Sequence, residues 1–149
     1  LLLSLVSLYL YSRLIELMDT WVVGIWTVPV FDISALVASS LPTYLTNQHN
    51  TTYLSLGASG AVSAVLFAFI LISPWTPIYL FFIPIGIPAI VFAVIYVGYS
   101  IWMDRRGGDR INHSAHLAGA AYGMLFMLLM DRRVLGHFLQ QLSNPSLGG

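Results

Sequence analysis

Gly57-Ala58-Ser59-Gly60 stands where the polar stretch 46–52 gives way to the apolar run 61–72, so a small, serine-centred turn opens an apolar segment. A serine at the mouth of a membrane helix carries chemistry only where something can take its proton. The other strongly chemical residue at a helix mouth is His116, in Asn112-His113-Ser114-Ala115-His116-Leu117-Ala118-Gly119. The fold decides whether these two stretches meet.

Composition puts the chain in a membrane. Of 149 residues, 58% are hydrophobic and 8% charged, too few polar side chains to cover a soluble domain. Mean hydropathy is +0.82. With a formal net charge of zero and no basic run, nucleic acid has no electrostatic footing as a partner. The absence of cysteine removes disulfides, thiolate metal sites and cysteine nucleophiles. Four scattered histidines without clustered acids make no metal site, and no cofactor is expected. Residue 1 is a leucine within an apolar run, which reads as a chain cut inside a helix.

A bilayer crossing takes about 20 apolar residues. The first segment, 1–17, ends at Arg13 and Glu16, which share a helix face. The second, 22–41, contains Pro29 and Asp32 and stops at Pro42, before a polar loop over 43–56. The third, 57–73, ends at Pro74-Trp75-Thr76-Pro77. The fourth, 78–102, carries Pro84, Gly86 and Pro88, which predict a bent or loosened helix. A charged turn over 104–110 leads to the fifth, 112–130, which ends at Asp131-Arg132-Arg133. Residues 1–133 read as one transmembrane domain and 134–149 as an exposed tail with a short amphipathic piece around 137–142. The class is an all-α membrane protein, a polytopic helical bundle, with no internal repeat.

Parity then brings the two stretches together. Ser59 starts the third segment and His116 lies in the first turns of the fifth, two crossings later, so both lie on one side of the membrane and near its surface. Charge does not orient the chain, because Arg13, Arg132 and Arg133 on one side balance Arg105, Arg106 and Arg110 on the other.

Small residues on membrane helices are commonly packing surfaces. Gly60, Ala64 and Ala68 form one stripe, and Gly119 and Gly123 form another on the helix that carries His116. If those stripes pack together, they carry Ser59 and His116 into contact, and packing and catalysis cease to be rival readings. The N–H groups of Ser59 and Gly60 at the helix start would then support an oxyanion. Asp32 is read as a buried structural acid or a relay, and His113 as an interfacial or capping residue. His49 and His137 are placed in solvent, and Asn50-Thr51-Thr52 fits a glycosylation acceptor.

The pairing of Gly57-Ala58-Ser59-Gly60 with Ala115-His116-Leu117-Ala118-Gly119 and Gly123, two crossings apart, resembles the rhomboid intramembrane serine proteases. Residues 7–16 resemble the end of that family's second helix. The resemblance implies a six-helix core, about five of whose helices are present here, with Ser59 as nucleophile and His116 as base. It also implies that the segment with Pro84 and Pro88 borders the route by which a substrate helix enters. Two departures stand out. The family's His-x-x-x-Asn pair places its Asn position at Ser4, which could add one donor to the oxyanion. The position four after the nucleophile, commonly a tyrosine stacked on the base, is Ser63, which leaves His116 less constrained.

The expected activity is therefore endoproteolysis of transmembrane protein substrates, with preference for small, helix-weakening residues near the cut. A non-cleaving relative that binds transmembrane clients and a small transporter or channel are the competing readings. The lipid bilayer is the other partner, and a bacterial cell membrane is the expected location, with an organelle membrane as the alternative.

Overall fold

The computed structural model describes residues 27–50, 58–80, 83–107 and 111–145. The first segment with Arg13 and Glu16, together with Ser4, Gly57, Thr51, Thr52 and Arg110, lies outside the described residues. The elements are α1 (Thr27–Asn47), α2 (Ser59–Ile72), β1 (Pro77–Leu80), β2 (Ile83–Pro88), α3 (Ala89–Arg106), α4 (His113–Met130) and α5 (Arg133–Ser143).

Helix α2 is the axis of the bundle. Eleven of its fourteen residues are buried, on every side of the helix. Fourteen residues rise only about 21 Å, against a hydrocarbon core of about 30 Å. Such a helix has to be wrapped by longer neighbours, and the 21 residues of α1 and 18 each of α3 and α4 wrap it. Among the described residues, α4 is the one helix both long and apolar enough to cross a membrane by itself. Large apolar side chains point outward along α1 (Ile33, Val37, Leu41, Leu45), α3 (Val94, Ile95) and α4 (Leu125, Leu129). Lipid, not water, accommodates such a surface.

The contact between α2 and α4 is backbone against backbone. A Cβ built on Gly119 would come within 2.7 Å of the carbonyl carbon of Gly60, and one on Gly123 within 2.7 Å of that of Ala64. The two helices run parallel, so residues 60 and 64 meet 119 and 123 in register. Helix α1 runs antiparallel to both. Its Phe31 packs on Phe126 with ring centroids 4.7 Å apart, and the Tyr122 hydroxyl donates to Ser34 Oγ at 2.6 Å.

Helix α1 does not stop at Pro42 but continues to Asn47, correcting the loop expected from residue 43. Proline forfeits one donor and crowds the preceding turn, yet tertiary contacts on either side hold the helix in shape. Ser39 is buried against the position of Gly60, and Thr43 is bonded to Asn112 of α4. On the outer face, Ser40 donates to the Leu36 carbonyl (2.7 Å) and Thr46 to that of Pro42 (2.9 Å). Polar residues that return their hydrogen bonds to their own helix are cheap to place in lipid. Asp32 is half-buried on this helix.

The loosened helix expected over 78–88 is instead an antiparallel hairpin, and α3 begins only at Ala89. Its register pairs Pro77 with Pro88 and Ile78 with Ile87. Each residue before a proline is pushed to extended geometry, which affects Ile83 and Ile87, and alternating isoleucines favour strand over helix. The prolines at 77 and 88 sit at strand ends, where a missing donor costs least. The start of α3 is tied down by Ala89 N–H to the Thr76 carbonyl (3.0 Å) and Ile90 N–H to that of Pro74 (2.8 Å). At its other end Gly107 takes φ 63°, open to glycine without strain, and Arg106 lies over the Trp102 ring at 5.1 Å.

Residues 133–143 form a longer helix than the amphipathic piece anticipated, and it docks beneath α2. The His137 ring lies 3.0 Å from the Ile72 carbonyl, through Nε2, and the Trp75 indole donates to that of Gln141 at 2.8 Å. His137 thus serves one of the carbonyls that a helix end leaves over. At the α4–α5 junction the Arg133 guanidinium hydrogen-bonds Asp131 and holds its carboxyl below the usual carboxylate range. A depressed carboxylate contributes stability that is present above its unfolded pKa and lost as pH falls through the folded one. The pair is solvent-exposed, so that contribution is small.

Candidate active site

Ser59 is the first residue of α2 and His116 the fourth of α4, and the parallel glycine-mediated contact sets those two helix starts side by side. Ser59 Oγ and His116 Nε2 lie 2.9 Å apart, and both side chains are half-buried. That is hydrogen-bond distance, the separation at which a neutral imidazole can take a hydroxyl proton. The first backbone bond of α2 runs from Val62 N–H to the Ala58 carbonyl at 3.1 Å. The N–H groups of Ser59, Gly60 and Ala61 therefore have no acceptor within the helix, and they lie at the positive end of its dipole. A group that becomes negatively charged near Ser59 Oγ meets those donors.

Ser39 of α1 is level with Gly60, and α1 continues eight residues further, roughly 12 Å, in the direction of the Ser59 end.

A polar cluster fixes the start of α4. Asn112 is its N-cap and accepts from the Ala115 N–H (3.0 Å) and the Ser114 hydroxyl (2.9 Å) through Oδ1, while its amide donates to Thr43 Oγ1 at 2.7 Å. The capping role expected of His113 thus falls to Asn112. His113 is 4% exposed and buried, edge-on to both Tyr99 (5.7 Å) and His116 (5.9 Å). Asn112→Ala is expected to cost about 1–2 kcal/mol, from the lost cap and the broken bond to the Thr43 hydroxyl. A drop in thermal midpoint in detergent, larger than that of Thr43→Val, checks it.

Ser63 is one turn below Ser59 and 3% exposed. It donates no ring to His116. Instead its hydroxyl lies 2.6 Å from that of Tyr96 on α3, and the Tyr96 ring stacks on His116 with centroids 6.0 Å apart and planes 23° from parallel. His116 is therefore more constrained than residue 63 alone implies. Sequence reasoning missed Tyr96. Its signal is faint: Ala89, Ala93 and Ser100 are the buried residues of α3, and Tyr96 shares their face at helical spacing. Among the described residues no cluster of three or more potential metal ligands occurs.

Comparison with known proteins gives the family. The pattern that defines the family described as Rhomboid domain matches residues 1–133. RHOMBOID-like protein 12, mitochondrial, of Arabidopsis thaliana is 43% identical over 67 residues, which are 44% of this chain and 19% of that protein. The matched stretch is thus a small part of that relative's length. No solved structure matches. A serine and a histidine brought together at two helix starts, inside a lipid-facing bundle whose sequence matches the family over most of its length, lead to one conclusion: the chain belongs to the rhomboid family of integral membrane proteins.

Proposed function

We propose that the protein is an intramembrane serine endopeptidase. The observation that carries this reading is the 2.9 Å separation between Ser59 Oγ and His116 Nε2 at the start of α2. Ser59 Oγ attacks a peptide carbonyl carbon of a transmembrane substrate while its proton passes to His116 Nε2. The carbonyl oxygen takes up the negative charge, facing the N–H groups of Ser59 and Gly60. As the C–N bond breaks, His116 returns the proton to the leaving amine. Water, deprotonated by the same imidazole, then hydrolyses the ester and restores the serine. Substrate carbonyls in an intact helix are hydrogen-bonded and sterically covered, so the segment to be cut has to unwind locally.

In place of the bacterial membrane expected from the sequence, the similarity to a mitochondrial protein supports an organelle membrane. The reading is tested with a fluorophosphonate probe, which forms a stable adduct only with an activated serine. Mass spectrometry of the labelled, detergent-solubilised protein should place the adduct on Ser59 and show its loss in His116→Ala. A folded protein that stays unlabelled, or labels on another serine, defeats the proposal and favours a client-binding relative without cleavage.

A further inference from the structure

We infer that Tyr96 is the positioning residue for the base, and that Ser63 holds it in place. The inference rests on the proposed Ser59–His116 chemistry and asks what keeps the imidazole aimed. An imidazole in a hydrogen bond to a serine can still rotate about χ1 and χ2, and it acts as a base only in the rotamer that points Nε2 at Oγ. Hydrogen bonding or packing on its flanks has to select that rotamer.

Two flanks are visible. His113, one turn earlier on the same helix, meets the His116 ring edge-on at 5.9 Å. Tyr96 covers a face, nearly parallel to the imidazole at 6.0 Å. A parallel, offset partner restricts rotation of the ring plane, whereas an edge contact leaves more freedom. The Tyr96 ring is held in turn. Phe67 of α2 (5.8 Å) and Phe92 of its own helix (5.8 Å) pack around it, and its hydroxyl meets Ser63 Oγ at 2.6 Å. Ser63 Oγ is also 3.1 Å from the Ser59 carbonyl, so it is fixed to the turn that bears the nucleophile.

The chain Ser59 carbonyl, Ser63 hydroxyl, Tyr96 hydroxyl, Tyr96 ring and His116 ring closes a loop through α2, α3 and α4. The nucleophile and the base each have their own helix, and the plane of the base is set by a third. A bulky residue at position 63 would fill the space the tyrosine hydroxyl uses, which gives the small side chain there a purpose.

The test measures kcat and KM for a transmembrane substrate in wild type, Tyr96→Met, Tyr96→Phe, Ser63→Ala and Ser59→Ala. Methionine fills most of the volume without a ring plane, so the variant keeps its packing. Tyr96→Met is expected to lose about three- to tenfold in kcat with KM unchanged, the size of an aromatic pair contact. Tyr96→Phe and Ser63→Ala each break the same hydroxyl contact but keep the stack, so both should lie between wild type and Tyr96→Met. A thermal melt of each variant confirms that it is folded. Wild-type kcat in Tyr96→Met, a loss confined to KM, or a Tyr96→Phe as poor as Tyr96→Met overturns the inference. If Tyr96→Met does not fold, the comparison of Tyr96→Phe with Ser63→Ala decides, and wild-type kcat in Ser63→Ala overturns the anchoring. Ser59→Ala separates the two levels. Its inactivity with a fully active Tyr96→Met removes only the positioning role, whereas its full activity removes the dyad itself.

Discussion

Ser59→Ala is expected to abolish cleavage of a transmembrane substrate, with turnover falling by about four to six orders of magnitude, and His116→Ala should do the same. The expectation follows from how the pair shares one task. Without His116 the serine hydroxyl has no acceptor for its proton at 2.9 Å, and without Ser59 the imidazole has nothing to activate. Groups that act as a unit are not additive. The double variant should therefore be no worse than either single one, and a further loss of more than about tenfold would mean that the two residues act separately. Neither side chain fills the core, since both are half-buried at helix starts. Thermal stability should stay close to wild type, and activity and folding are thereby separated in one set of samples.

Gly123→Ala is expected to be the most damaging single-methyl change for the fold. The added Cβ would overlap the carbonyl of Ala64 on α2, and backbone in the middle of two packed helices has no rotamer by which to move aside. Gly119→Ala meets the carbonyl of Gly60, one residue from the nucleophile. The cost should reach about 3 kcal/mol or more, at the upper end for overpacking, because the partner atoms are main chain. The two positions differ in readout. Gly123→Ala should lower the thermal midpoint chiefly, while Gly119→Ala should in addition separate Ser59 from His116 and lose fluorophosphonate labelling in the fraction that remains folded. A Gly119→Ala protein that melts and labels like wild type would show that α2 and α4 do not touch there.

The legibility of this fold in its sequence varied with the kind of signal. The meeting of Ser59 and His116 was readable because it depends on three robust features: apolar segment length, the parity of crossings, and small residues recurring every four positions. Each of these survives boundary errors of a few residues. The end of α1 is less legible: Pro42 reads as a stop, whereas packing at Ser39 and Thr43 outweighs the lost donor. The hairpin is hard to read because the apolar composition of 78–88 fits a span, while the decisive signal is local: two prolines, Pro84 and Pro88, each preceded by an isoleucine. Tyr96 was invisible for a different reason. A tyrosine in an apolar run has no distinguishing neighbourhood in one dimension, and its partners Ser63 and His116 are 33 and 20 residues away. The cap Asn112 lay within the quoted stretch, but its link to Thr43 spans 69 residues and needed the register of α1 against α4.

Helix α3 buries only Ala89, Ala93 and Ser100, whereas α2 buries eleven residues, so the two belong to different rungs of a stability ladder. An element with little buried surface opens readily, by a local equilibrium that need not disturb the rest. Helix α5 buries no residue, and α3, which carries the ring that flanks the imidazole, buries only three. An opening free energy of about 1.4 kcal/mol leaves one molecule in ten with α3 detached. Catalytic output then tracks the docking of one helix, and heat or a thinner bilayer would erode it well before the bundle melts.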